Sequence, residues 1–166
     1  MNADRGYLCA VATEQGDHPR IIVFGGKSMQ QFDTCEYLDV VDGEKPAAWI
    51  LVEAKMKTSR YCTAAALLDA DTIVICGGKF DKYDTISTCE AFDLVSLTFS
   101  DFPDMMESRS NHAVVHYQGT LVVMGGDCVK ELCEQFDRVK SMWGPFTPLN
   151  KSRYCFGATD RKSTRL

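Results

Sequence analysis

The chain has 166 residues, 45% of them hydrophobic and 25% charged, with a net charge of -5 and a sequence pI near 5.2. That balance suits one soluble globular domain with its own core and excludes a disordered chain; without a basic run, nucleic acid and anionic membrane are poor partners. No run approaches ~18 apolar residues and Met1 to Arg20 lacks the apolar region of a secretory signal, so a cytoplasmic protein is expected.

In chain order, three apolar runs end in paired glycines: Ile21-Ile22-Val23-Phe24-Gly25-Gly26, Ile73-Val74-Ile75-Cys76-Gly77-Gly78 and Leu121-Val122-Val123-Met124-Gly125-Gly126. Consecutive β-branched and apolar residues read as a strand buried on both faces, and the glycines mark a sharp turn or a close backbone approach. Three further stations recur around each run. An arginine precedes it (Arg5, Arg60, Arg109, and a last one at Arg153). A Cys-Glu pair follows it and closes on Asp39, Asp93 or Asp137. Then comes a large aromatic, Trp49, Phe99 or Trp143. The first glycines are 52 (25 to 77) and 48 (77 to 125) residues apart, and each aromatic stands 10 or 11 residues before the next arginine. Such self-similarity is an internal repeat, with length variation confined to loop-like stretches such as 41–46.

Four short strands per unit, a period near ~50 residues and turn chemistry between them predict an all-β fold, each unit a four-stranded antiparallel blade of a β-propeller. The expected boundaries are blade 1 at about 5–56, blade 2 at about 59–106 and blade 3 at about 108–149. The first strand of a fourth blade is expected at about 153–159, so that one partial propeller fills residues 1–166. Propellers close with typically 4–8 blades. The chain is therefore expected to be a segment of a longer propeller or to self-associate to close the ring.

Eight cysteines stand mostly inside apolar runs, as reduced, buried thiols would. Cys128 and Cys133 make a C-x4-C pair with nothing to complete a zinc site, and His112 and His116, four apart on a strand, lie too far apart to share one ion. No metal and no cofactor is expected. No phosphate loop, nucleophile elbow or matched acid/base pair is present, so the chain does not read as an enzyme. Ser163-Thr164-Arg165-Leu166 has the form of a C-terminal peptide ligand.

The glycine-pair strand, the outer aromatic and the junctions Met56-Lys57-Thr58-Ser59-Arg60 and Met106-Glu107-Ser108-Arg109 resemble the kelch repeat over about residues 5–160. Leu38, Phe92 and Phe136 stand where that pattern has tyrosine, and Phe99 replaces one tryptophan. The resemblance implies a kelch-type β-propeller segment of three four-stranded antiparallel blades plus one extra strand. It also implies a protein-binding scaffold, in substrate-adaptor or cytoskeletal roles, with a pocket at one mouth of the central channel. Carried over by position, the partner-binding residues are Tyr61, Cys62, Ser110, Asn111, Tyr154 and Cys155, with the loops Lys27 to Gln31, Lys79 and Phe80 to Thr85, and Asp127 to Lys130 around them. The alternatives are a fragment of a kelch-like oxidase, mutarotase or specifier, or a truncated product without independent function.

Overall fold

The computed structural model describes residues 4–14, 19–40 and 48–159. The insertion in the first repeat, His18 and the Ser163 to Leu166 terminus lie outside them. Twelve strands form three four-stranded antiparallel sheets, and the described residues contain no helix. Blade 1 comprises β1 (Cys9–Thr13), β2 (Arg20–Phe24), β3 (Cys35–Asp39) and β4 (Ile50–Leu51). Blade 2 comprises β5 (Ala64–Leu67), β6 (Thr72–Cys76), β7 (Cys89–Asp93) and β8 (Thr98–Phe102). Blade 3 comprises β9 (Ala113–Tyr117), β10 (Thr120–Met124), β11 (Cys133–Asp137) and β12 (Met142–Phe146). In each sheet the spatial order follows the sequence order, the arrangement of a propeller blade.

β6 shows why a continuous apolar run is needed. Successive side chains on a strand point to opposite faces. Ile73 and Ile75 join a cluster with Phe24, Met56 and Phe92 on the blade 1 side, whereas Val74 and Cys76 join Leu121, Val123 and Trp143 on the blade 3 side. A polar residue on either face of β6 would fall into a seam. Aromatic pairs finish both seams: Phe24 meets Phe92 edge-on at 5.4 Å, and Phe136 meets Trp143 at the same centroid distance.

The glycines are required by close approach. Gly77 has φ +56°, and a Cβ there would lie 2.5 Å from the Arg109 carbonyl oxygen. Gly25 and Gly125 meet the carbonyls of Arg60 and Arg153 in the same way, at 2.3 and 2.5 Å. The first glycine of each blade is thus where the next blade's arginine passes overhead.

Two regions are less regular than the repeat predicts. β4 has two residues where β8 and β12 have five, and extending its register with β3 sets Trp49 opposite Leu38. Residues 153–159 form no strand ladder; their backbone joins blade 3 only through Arg153 and Cys155, because no second strand stands beside them among the described residues.

Candidate functional site

Each blade is entered through a buried arginine. The Arg60 carbonyl accepts the Gly26 N–H of blade 1 at 2.9 Å. Its guanidinium donates to Gly77 O (3.0 Å), Thr88 O (2.8 Å) and Glu90 Oε1 (2.6 Å) of blade 2. Arg109 repeats the pattern one blade on, taking the Gly78 N–H on its carbonyl and donating to Gly125 O, Leu132 O and Glu134. Arg5 does the same inside blade 1 with Gly25 O, Thr34 O and Glu36. Buried charge is tolerated when paired and fully hydrogen-bonded. The glutamates are filled accordingly: Glu90 also accepts the Lys57 N–H at 2.7 Å, and Glu134 the Met106 N–H at 2.6 Å. These groups staple backbone to backbone, and among the described residues Arg5 Nε is the one nitrogen of the three guanidinium groups left without an acceptor, buried away from any ligand.

Two residues after each arginine the chain turns left-handed, at Tyr7 (φ 55°), Cys62 (53°), Asn111 (53°) and Cys155 (52°). Non-glycine residues seldom adopt this conformation without a local reason. The reason is a hydrogen-bond relay around the mouth: Cys62 N–H donates to Tyr7 O, Asn111 N–H to Cys62 O, and Cys155 N–H to Asn111 O. Four side chains are thereby set side by side at one end of the concave space between the inner strands. That space, about 830 Å³, is walled by Ala10, Ala12, Ala65, Ala66 and Val115 and reaches Glu14 and Asp69 at its far end.

The residue after each glycine pair completes the mouth: Lys27, Lys79 and Asp127. Between blades 2 and 3, Asp127 Oδ2 accepts Asn111 Nδ2 (2.7 Å), Ser110 Oγ (3.2 Å) and Lys79 Nζ (3.2 Å). Burial pushes the Asp127 carboxyl up, but these three donors outweigh it and hold it below the ordinary carboxylate range. For Lys79, burial acts downward and is outweighed by Asp127, which raises it. Between blades 1 and 2 the ammonium of Lys27 instead lies 4.8 Å from the centre of the Tyr61 ring. The Tyr61 hydroxyl donates to Asp81 O at 3.2 Å, fixing that ring.

His112 is buried under the same seam as Asp127, against Gly77 on one side and Gly126 on the other. Neither ring nitrogen has a hydrogen-bond partner among the described residues, and burial beside the Arg109 charge brings the imidazole down to about 3. All eight cysteines are free thiols. Burial pushes Cys9 and Cys35 up to about 12, and raises Cys62 despite the charges of Lys79 and Lys27 nearby. These are packed thiols, not poised nucleophiles.

The chain matches no family model. A kelch repeat-containing protein of Caenorhabditis elegans, kel-10, is 29% identical over 142 residues, which cover 81% of this chain and 24% of that relative. Three four-stranded antiparallel blades in sequence order are consistent with the kelch repeats of that relative. The chain spans about a quarter of the relative's length.

Among the residues that the kelch pattern nominates for binding, Tyr154 and Phe80 are exposed, while Lys27, Lys79, Asp127, Asn111 and Cys62 are half-buried at the mouth. Ser110 and Tyr61 are buried, so they position Asp127 and Lys27. The glutamates Glu36, Glu90 and Glu134 went unassigned in the sequence. A charged residue recurring inside an otherwise apolar strand, in step with a recurring arginine, was the signal for a buried pair. Tyr7 also went unassigned, whereas Met29 and Tyr83 stand in the loops at 27–31 and 79–85 placed around the site, where their exposure distinguishes them.

Proposed function

We propose that this chain is a protein-interaction module whose loop face, around the mouth of the channel, binds a partner protein or peptide, as a substrate adaptor or cytoskeletal scaffold would. The supporting observation is the concentration of exposed Met and aromatic side chains there. Met29 and Tyr83 are 102% and 81% exposed, and Tyr7, Phe80 and Tyr154 are exposed beside them. Aromatic and Met side chains at a polar-rimmed surface are the usual composition of a recognition patch. A photo-reactive amino acid placed at Phe80 or Tyr154 tests the reading, with Val139, exposed in the β11–β12 turn, as the control. Cross-links should form from the first two positions; cross-linking from Val139 alone would remove the loop face from the proposal. The described residues include no helix long and apolar enough to cross a membrane.

The open flank after blade 3 belongs to the same proposal. Arg153 stands where Arg60 and Arg109 stand, yet its side chain is exposed and makes no hydrogen bond with a described residue. A further blade, from a second copy or from a longer chain, would receive it as blades 2 and 3 receive theirs. Light scattering of the purified chain separates the two: a monodisperse monomer contradicts closure by a second copy.

A further inference from the structure

The two seams at the mouth carry the same scaffold with different charges. At the seam between blades 2 and 3, Lys79 reaches the residue after the next glycine pair and finds a carboxylate, Asp127, at 3.2 Å. At the seam between blades 1 and 2, the equivalent place one blade on is occupied by Lys79 itself. Lys27 therefore meets a like charge where its counterpart meets an acid. It has no carboxylate within ion-pair distance among the described residues, and rests on the Tyr61 ring.

Tyr61 is also bound to Lys79 through the backbone, its N–H donating to Lys79 O at 3.1 Å and Lys79 N–H to Tyr61 O at 2.8 Å. Lys27 thus lies over the ring of a residue whose backbone is paired with Lys79. An ammonium has three donors. Asp127 uses one from Lys79, and the ring face uses none in the geometric sense, so most of the donors at this seam lack an acceptor among the described residues. The exposed ring of Tyr7 stands edge-on to Tyr61 at 6.3 Å and forms a wall beside them. Asp127 matches the charge of Lys79, so Lys27 supplies the unmatched positive charge at this seam, in a chain of net charge -5.

We propose that the seam between blades 1 and 2 is a carboxylate-binding site, in which Lys27 and Lys79 receive an aspartate or glutamate side chain of the partner peptide. The incoming carboxylate supplies blade 1 with the acid that Asp127 supplies to blade 2. Its two oxygens suit two ammonium groups, and the half-buried setting strengthens the pairing relative to an open surface. Lys27 and Lys79 are the specificity-determining residues, and Tyr61 positions Lys27 from below. This inference rests on the loop-face reading given above and specifies what that face selects.

Fluorescence anisotropy of the full chain tests it with a labelled peptide, Gly-Phe-Glu-Glu-Leu-Gly, its Gln-Gln counterpart, and the counterpart carrying phosphoserine in place of the first Glu. The Glu peptide should bind saturably and more weakly as salt rises, and the Gln peptide should bind about tenfold more weakly. Lys27→Gln should erase the difference between the two, and Lys27→Arg should keep it. Equal binding of the Glu and Gln peptides, no saturable binding of the Glu peptide, or a preference that survives Lys27→Gln would each overturn the proposal. So would exclusive binding of the phosphoserine peptide, which would make the site one for phosphate. If acid and neutral peptides are not distinguished while Phe80 still cross-links a partner, this inference falls and the loop-face reading stands. If Phe80 and Tyr154 give no cross-link and Val139 does, the reading itself falls.

Discussion

The seam between blades 1 and 2 and the seam between blades 2 and 3 are built on one plan and finished differently. Both have an arginine that takes a glycine N–H on its carbonyl and buries its guanidinium against a glutamate of the following blade. Both enclose an apolar cluster fed by alternate residues of β6. The differences lie at the mouth. The second seam carries a closed polar lock (Lys79, Asp127, Asn111 and Ser110) above a buried histidine, and the first carries an unmatched lysine on a tyrosine. What the repeats share holds the fold together, and what they do not share is free to serve recognition.

The largest effects should come from breaking what is common. Gly77→Val would force a Cβ against the Arg109 carbonyl in a left-handed backbone. Glu90→Ala would leave the Arg60 guanidinium buried without its counter-charge. Each should cost about 3–5 kcal/mol in urea denaturation, enough to unfold a marginal chain. Gly144→Ala is the contrasting control: nothing lies within 4 Å of the added Cβ, so it should stay within about 0.5 kcal/mol. A severe loss there would mean that the glycines matter through something other than close approach.

Next in size is an acid sensitivity confined to the second seam. His112 is held near 3 when folded and has an ordinary value of 6.5. Between those limits the unfolded chain binds the proton and the folded chain does not, so stability is fully present above 6.5 and is lost as pH falls toward 3. The loss should reach about 2 kcal/mol at pH 5. His112→Phe, which puts at this position the ring that Phe156 places against Gly125, should flatten the profile. An unchanged pH slope in that variant would relocate the acid sensitivity to other groups.

Smaller again is the lock. Asp127→Ala removes the acceptor of three donors in a partly exposed position, and about 1 kcal/mol is expected from thermal melts. Lys27→Gln should be the mildest, within about 0.5 kcal/mol, since it breaks only a cation–ring contact.

The architecture was legible in the sequence because the blade's demands are local and repeated. A run such as Ile73 to Cys76 has to be apolar on both faces, and Gly77 has to be glycine, so both recur in the same register. The mouth was legible only as a set of positions. The position of Lys27 could be found by counting from the glycines, but its lack of an acid depends on which residue stands one blade further on. That pairing spans 52 residues and exists only once the blades are stacked. Tyr61 shows the same limit: its place in the repeat suggested an exposed contact, whereas the fold turns it inward beneath Lys27. The missing ladder at residues 153–159 has a similar cause, since a strand's sequence gives its propensity and its neighbour decides whether it pairs.

The division between shared staple and individual mouth is tested most directly by urea denaturation of Arg60→Met and Lys27→Gln side by side at pH 7. The account predicts that Arg60→Met loses at least about 3 kcal/mol through the stranded Glu90 carboxylate, while Lys27→Gln remains within about 0.5 kcal/mol of the parent. Equal losses from the two variants, or a larger loss from Lys27→Gln, would contradict it.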